Sequence, residues 1–189
     1  MAMLSHVDLR KGVKVEIDGQ PWVIIDADFV KPGKGSAFTR VRIRNFLTGN
    51  TIERTFKASD KVSPADVEQK SCQYLYNEGE DFHFMDNETY DQIMIPKENL
   101  GDSWKWMAEN METQVLFWKG RALSCDLPKA VVLQITQCDP GERGNTAQGA
   151  SKPATVSTGA TVNVPLFINE GDWIKIDTSS GKYSERVNK

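Results

Sequence analysis

The chain has 189 residues, of which 39% are hydrophobic, and its formal net charge of −3 gives no basic excess of the kind that indicates a nucleic-acid partner. Its longest apolar runs, residues 22–25 and 115–118, are far shorter than the roughly 20 residues of a membrane-spanning helix, and the charged N-terminus does not resemble a secretory signal, so no membrane partner is expected. The three cysteines are an odd number without paired spacing, which favours a reduced protein of the cytoplasm.

Short strands separated by turns are predicted along almost the whole chain. Apolar and polar residues alternate at residues 13–17 and again at residues 40–44, the pattern of a strand with one buried face. The predicted strands cover residues 13–17, 22–25, 40–44, 51–56, 72–76, 82–85, 130–136, 161–167 and 173–177. The predicted turns are Asp18-Gly19, residues 47–50, residues 77–80 and Ser180-Gly181.

One helix and one long loop interrupt this β pattern. The helix is predicted from an apolar stripe with the spacing i, i+3, i+4 and i+7, which we interpret as a core face rather than a cofactor site, with Asp102 or Ser103 as its N-cap. The loop covers residues 141–159, which are rich in Gly, Ser, Thr and Ala and have no periodicity; loops of this length are usually functional or disordered. The stripe consists of Trp104, Met107, Ala108 and Met111.

The closely spaced strands predict an all-β chain built of sandwiches or barrels. Pro64 and Pro128 interrupt the pattern and suggest three segments, residues 1–64, 65–128 and 129–189, whose net charges are +4, −8 and +1. A segment of about 60 residues buries only about 60% of its unfolded surface, so each is marginally stable alone. The charge asymmetry is compatible with a basic face for a polyanion in the first segment, or simply with solvated surface.

The most informative segment is a turn that presents a single lysine. Lys34 stands between Gly33 and Gly35, which can adopt positive φ and carry no side chain to shield the lysine, and Pro32 restricts φ before the turn. Two β segments flank this turn, so Lys34 is predicted to lie at the end of a hairpin.

A strand of alternating arginines follows the turn. Arg40, Arg42 and Arg44 are predicted to share one face while the apolar residues between them point to the core, and residues 31–44 contain five basic residues and no acidic one. Such a face suits a phosphate backbone, and five contacts with single-stranded RNA would give a salt-dependence slope of about −3.5. An ordinary hairpin turn and an ordinary solvent-exposed face are the alternatives.

No pattern indicates an active site or a metal site. His6 and His83 are interpreted as structural residues, and no two His or Cys residues have metal-ligand spacing. Ser124-Cys125-Asp126 places three reactive residue types in sequence, but neighbouring side chains on a strand point to opposite faces and cannot form a relay. Lys152 comes too late in its glycine-containing loop for a phosphate-binding loop. We therefore expect no enzymatic activity and no metal or other cofactor.

The hairpin motif is followed by a series of further motifs, in order along essentially the whole chain. The residues of these motifs are Phe29-Val30-Lys31-Pro32-Gly33-Lys34-Gly35, Ala37-Phe38, Arg40, Leu47-Thr48-Gly49, Glu53, Thr55-Phe56-Lys57, Tyr74-Leu75-Tyr76-Asn77, Phe84-Met85, Asn87-Glu88-Thr89, Asp139-Pro140-Gly141, Lys152, Ala154, Gly159, Val162, Val164-Pro165, Ile168, Gly171-Asp172, Lys175, Asp177-Thr178, Gly181, Tyr183 and Arg186. Taken together they resemble the bacterial elongation factor P family.

The resemblance implies an SH3-like barrel at residues 1–64 and two OB-type barrels at residues 65–128 and 129–189, in an L-shaped arrangement similar to tRNA. It implies a cytoplasmic, monomeric factor that binds the 70S ribosome between the peptidyl-tRNA and exit sites and promotes peptide-bond formation at consecutive prolines. Lysine-modifying enzymes would extend Lys34 with a β-lysyl-type group. The residues implied to contact rRNA or tRNA are Lys31, Pro32, Gly33, Gly35, Ser36, Arg40, Arg42, Arg44, Asn145, Tyr183 and Arg186.

Two positions of this sequence, 145 and 182, differ from the residue that is usual in the family. Asn145 replaces the usual Asp in the long loop and alters the charge there, and Lys182 replaces the usual Glu beside Tyr183 and near Arg186.

Two alternative functions remain open from the residues alone. One is a β-barrel interaction module that binds protein or carbohydrate through its loops. The other is a small hydrolase, although no positioned nucleophile and base support it.

Overall fold

The computed structural model describes residues 2–140 and 150–188, and strands dominate these residues. The strands are β1 (Leu4–Ser5), β2 (Lys14–Ile17), β3 (Gln20–Val30), β4 (Phe38–Asn45), β5 (Thr51–Lys57), β6 (Lys61–Pro64), β7 (Val67–Glu78), β8 (Asp81–Asp86), β9 (Gln92–Pro96), β10 (Glu112–Trp118), β11 (Arg121–Asp126), β12 (Ala130–Cys138), β13 (Ser151–Val156), β14 (Thr161–Pro165), β15 (Trp173–Asp177) and β16 (Lys182–Val187). The helical segments are α1 (Lys97–Leu100) and two 3₁₀ turns, His6–Asp8 and Ser103–Trp106.

The strands form three sheets. The first sheet has the order β1-β6-β2-β3-β4-β5, the second β11-β10-β7-β8-β9 and the third β14-β13-β12-β15-β16. Neighbouring strands run antiparallel throughout the first and third sheets, and so do β7, β8 and β9 in the second. Short connections between sequence neighbours explain this arrangement, because antiparallel strands can be joined by tight turns.

Every strand predicted from sequence is present, although β3 and β7 are much longer than predicted. The strands that the sequence did not predict are β1, β6, β9, β10, β11, β13 and β16. The predicted strand at residues 22–25 extends to Val30, whereas that at residues 161–167 ends at Pro165. The turn at Asp18-Gly19 joins β2 directly to β3, with Ile17 paired to Gln20. Alternation places Val41 and Ile43 in the interior of the first sheet's core, where both are fully buried. The predicted all-β architecture is therefore confirmed.

The predicted helix at residues 104–111 is wrong. The helical segment there is the 3₁₀ turn Ser103–Trp106; Met107 is extended, with φ −81° and ψ 109°, and Asn110 adopts a φ of 64°. The proposed caps also fail, because Asp102 stands at the start of this turn without a side-chain capping bond. The interpretation of the stripe as core holds for Met107, which is buried, while Ala108 and Met111 pack partly buried against the third sheet's core.

The predicted long loop contains a strand. Residues 151–156, within the predicted loop 141–159, form β13, which pairs with both β12 and β14. Lys152 and Pro153 hide this strand in the sequence, because an inward lysine and a proline both break the usual β pattern. Residues 141–149 lie outside the described residues.

By its internal contacts the chain divides into two compact units. One consists of Met1–Lys70 with Val115–Ser124, and the other of Ser71–Gln114 with Cys125–Lys189. The first unit contains the core of the first sheet and a small cluster formed by Ala65, Leu116, Trp118 and Leu123. The second contains the core of the third sheet, in which Trp106 joins residues of β12–β15. In the part of the chain that the structure describes, no helix is both long enough and apolar enough to cross a membrane.

Candidate functional site

Lys34 lies in the loop that joins β3 to β4. The pair Val30 and Phe38 closes this loop, and Lys34 within it is solvent-exposed, as the sequence predicts for a hairpin end. Gly35 has a φ of 111°, a conformation that side-chain-bearing residues rarely adopt, so the turn itself needs a glycine there. Gly33 does not adopt positive φ, and a Cβ atom added to it would meet open space. The loop therefore leaves the lysine uncovered, and Gly33 adds to this by lacking a side chain.

The other predicted contact residues of this loop are also accessible. Lys31, Gly33, Gly35 and Ser36 are exposed, and Pro32 is half-buried. Cγ of Pro32 lies 3.8 Å from the position that a Cβ atom on Gly35 would take, so part of the proline ring packs inside the turn. Residues 31–37 contain two lysines and no acidic residue, which makes the loop a cationic projection.

The side chains of the arginine strand β4 alternate between exposed and buried as predicted, but the exposed face is not purely basic as the sequence suggests. Arg40 and Arg42 are exposed and Arg44 is half-buried, while the residues between them are buried. Across the strand pairs, Asp28 lies opposite Arg40 and Asp26 opposite Arg42. On the other side Glu53 lies opposite Arg42, and its carboxylate is 3.5 Å from Nε of Arg40. The face is therefore a mixture of both signs.

The acidic neighbours were missed because they come from other strands. Asp26 and Asp28 follow the short strand that the sequence predicts, and β3 continues through them to Val30. The same sheet brings Lys57 of β5 directly opposite Phe38 of β4, which adds a cation at the base of the loop. The turn at residues 47–50 is the sequence signal that could have found this pair, because it fixes which residues of the two strands face each other.

The remaining predicted contact residues belong to the second unit. Tyr183 is half-buried and packs against the core of the third sheet, so part of its ring serves packing. Arg186 is exposed; its guanidinium carbon lies 5.8 Å from the centre of the Phe167 ring, and its Nη1 is 3.9 Å from a carboxylate oxygen of Asp172. These contacts fix Arg186 beside an exposed aromatic ring. Asn145 lies outside the described residues.

The cysteine and histidine residues considered for catalysis are buried or stacked on aromatic rings. Burial raises the pKa of the Cys125 thiol to about 12, which keeps it protonated and unreactive. His83 stacks on Tyr76 with ring centres 4.7 Å apart, and His6 stacks on Phe29. All three cysteines are thiols, and among the residues that the structure describes no group of His, Cys, Asp and Glu could hold a metal ion.

Three family models match consecutive parts of the chain. The elongation factor P KOW-like domain matches residues 5–62, the elongation factor P OB domain matches residues 67–125, and the elongation factor P C-terminal model matches residues 131–186. Together with the three sheets, these matches confirm the predicted fold class, an SH3-like domain of the KOW type with OB-type domains.

Comparison with full-length proteins leads to the same family as the three domain models. Elongation factor P of Magnetococcus marinus is 48% identical over 185 residues, which cover 98% of this chain and 99% of that protein. Elongation factor P of Caldanaerobacter subterraneus subsp. tengcongensis is 50% identical over 185 residues, covering 98% and 100%. The solved structure of eukaryotic translation initiation factor 5A from Methanococcus jannaschii is similar with a TM-score of 0.53 and 25% identity, over 64% of this chain and 90% of that one. The chain belongs to the elongation factor P family of translation factors.

Proposed function

We propose that this translation elongation factor binds the ribosome between the peptidyl-tRNA and exit sites and stimulates peptide-bond formation, notably at consecutive prolines. The observation that carries the proposal is the exposed Lys34, which lies at the end of a cationic loop containing no acidic residue. An uncovered amine in such a loop suits an approach to RNA, because no neighbouring carboxylate neutralises it.

In the proposed mechanism the factor positions the reactants and the ribosome performs the chemistry. Proline is a poor nucleophile because its ring constrains the nitrogen, so holding the end of the peptidyl-tRNA in a productive orientation lowers the entropic part of the barrier. An added β-lysyl-type group on Lys34, attached by lysine-modifying enzymes, would extend the cationic arm to phosphates beyond the reach of lysine itself.

The contact surface that we propose extends from the loop to the arginine strand. Lys31, Ser36 and the backbone at Pro32, Gly33 and Gly35 would approach RNA at the loop. Arg40, Arg42 and Arg44 would contribute as well, the first two by less than their charge suggests, because Asp26, Asp28 and Glu53 lie opposite them. At the other end of the chain, Arg186 with Tyr183, and Asn145, would contact RNA. The three segments 1–64, 65–128 and 129–189 remain our proposed domains.

A polyproline reporter in a reconstituted translation system tests the central role of Lys34. We expect Lys34→Ala to lose most of the stimulation at consecutive prolines while leaving synthesis of a proline-free reporter unchanged. Lys61→Ala, which removes an exposed lysine from β6 of the same sheet, is the matched control and should behave as wild type. Equal rescue by Lys34→Ala and wild type would overturn the proposal and favour a binding module of another kind.

The modification has its own test. The intact mass of the protein purified from its native host should exceed that of the bare chain, and peptide mapping should locate the added mass on Lys34. The bare mass would contradict the proposed modification without contradicting the role of the unmodified lysine.

A further inference from the structure

An open groove of about 530 Å³ lies at the base of the Lys34 loop. Its lining combines an aromatic ring, two cations and two hydroxyl groups, which come from the loop itself and from the loop end of β4 and β5. The lining residues are Ser36, Phe38, Arg40, Thr55 and Lys57.

The strand register explains why these side chains share one surface. Phe38 pairs with Lys57, and Arg40 pairs with Thr55. Directly opposed residues of antiparallel strands have Cβ atoms about 5 Å apart and point to the same face. Since alternate residues of a strand also share a face, both pairs lie on the same side of the sheet. Thr39, between the two β4 residues, is buried on the opposite side.

The two cations of the groove differ in their surroundings. Nε of Arg40 is 3.5 Å from the Glu53 carboxylate, and Asp28 lies opposite Arg40 across the β3–β4 pair. Lys57 makes no ion pair with any residue in the described part of the chain. Its backbone N–H donates to the carboxylate of Asp60 at 2.8 Å, which fixes the main chain while the amine stays exposed. Lys57 is therefore the cation that is available to an incoming anion.

We propose that this groove binds one nucleotide of single-stranded RNA, with the Lys57 amine on the phosphate and the half-buried ring of Phe38 against the base. The hydroxyl groups of Ser36 and Thr55 can donate to the ribose or to the base edge, and Arg40, held by Glu53, contributes its remaining N–H groups to the phosphate. The proposal rests on the RNA-binding function proposed above and adds a second RNA contact, separate from Lys34.

The combination of groups favours a nucleotide over an acidic peptide. An aromatic ring beside a single unpaired cation matches the base and the phosphate of one nucleotide, whereas an acidic peptide would use the cations and leave the ring without a stacking partner. This difference can be measured directly.

Titrations of the ¹⁵N-labelled full-length protein test the site. AMP should shift the amide signals of residues 36–38 and 55–57 at lower concentration than adenosine or inorganic phosphate alone, and hexa-adenylate should shift the same signals. An Asp-rich hexapeptide should not. Equal shifts by the peptide, or shifts caused by RNA only elsewhere in the protein, would overturn the proposal.

Variants quantify the two parts of the contact. Lys57→Ala should flatten the plot of log K against log salt for hexa-adenylate by about 0.7, the contribution of one phosphate on a single strand. Phe38→Leu, which keeps an apolar side chain, should weaken binding about fivefold or more, the lower range for base stacking. Lys61→Ala should leave the affinity within about twofold of wild type. Unchanged affinity and slope in both groove variants would refute the site.

The polyproline reporter separates this inference from the function on which it rests. If Lys34→Ala impairs the reporter while Lys57→Ala changes neither RNA affinity nor the reporter, the groove proposal fails and the proposed function stands. If Lys57→Ala weakens RNA binding while Lys34→Ala leaves the reporter unaffected, the groove is confirmed as an RNA site and the proposed function fails.

Discussion

Lys152 is a lysine in the interior of a small β domain. It lies on β13, only 6% exposed, and its amine donates to the backbone carbonyl of Asp139 at 2.6 Å. The next inward residues of β13, Ala154 and Val156, belong to the core of the third sheet. The methylene stem of Lys152 thus continues an apolar face, and its amine ties the start of β13 to the residue that follows β12.

Two substitutions of Lys152 separate the contribution of its methylene stem to stability from that of its amine. Lys152→Met keeps the unbranched stem and removes the cost of burying a charge, and the carbonyl of the exposed Asp139 can bind water instead. We expect it to change the free energy of unfolding by less than about 1 kcal/mol. Lys152→Ala deletes most of the stem and should cost about 2 kcal/mol. Urea unfolding measures both. Equal losses would mean that the hydrogen bond, not the stem, stabilises this position.

The features of the candidate site that depend only on neighbouring residues in the sequence could be predicted. The exposed Lys34 follows from its own neighbours in the sequence, and the alternation of the arginines follows from strand periodicity. The charge around Arg40 was not predictable in this way, since Asp28 and Glu53 reach it from β3 and β5. Electrostatics on a sheet depends on register, and register requires knowing where each strand begins and ends.

At the scale of elements, the β15–β16 hairpin is stabilised by one carboxylate. Asp177 accepts hydrogen bonds from the hydroxyl group of Ser179 and from the backbone and hydroxyl group of Ser180. These bonds, that of Ser179 above all, lower the pKa of Asp177 from 3.8 to about 2. A lowered pKa means that the folded protein favours the charged form of Asp177 over the neutral form. The charged carboxylate therefore stabilises the fold fully at pH values above its unfolded pKa of 3.8, and this stabilisation is lost as the pH falls through about 2.

This linkage predicts a pH-dependent effect of Asp177→Asn. The variant should have a lower Tm than wild type at pH 7, and the difference should shrink as the pH falls from about 4 towards 2, because wild type then loses the same charge. Thermal unfolding followed by circular dichroism across this range measures it. Ser179→Ala, which removes one donor, should show the same pH profile with a smaller amplitude. A Tm difference that is constant with pH would contradict the role of the charge.

The wrongly predicted helix and the missed strand β13 have the same physical origin. The stripe at residues 104–111 has helical spacing, but its apolar side chains pack in different places along a 3₁₀ turn and an extended segment. The strand β13 lacks a strand pattern because its inward position 152 is a lysine with a carbonyl partner. In both cases tertiary contacts outweigh local preference, and single-sequence periodicity does not contain those contacts.

At the scale of the whole molecule, the core of the third sheet depends on a residue far from it in sequence. Trp106, 6% exposed, packs with residues of β12–β15, and Leu127 and Met111 lie beside this core. Gly181 lies under the indole ring: a Cβ atom there would come within 3.0 Å of Cζ2 of Trp106, and its φ is 67°. A fragment that begins at residue 129 would therefore lack Trp106 and the flanking side chains of Met111 and Leu127.

Replacing Trp106 should destabilise the protein far more than replacing its neighbour Trp104. Trp106→Ala opens a cavity in a buried core and should lower the free energy of unfolding by about 3–5 kcal/mol. Trp104 is half-buried and carries the amine of Lys97 4.3 Å from the centre of its ring, so Trp104→Ala removes mainly that contact and should cost about 1 kcal/mol. Urea unfolding of the two full-length variants, followed by circular dichroism, makes the comparison. Since both substitutions delete the same side chain within three residues of chain, equal losses would show that Trp106 does not anchor this core.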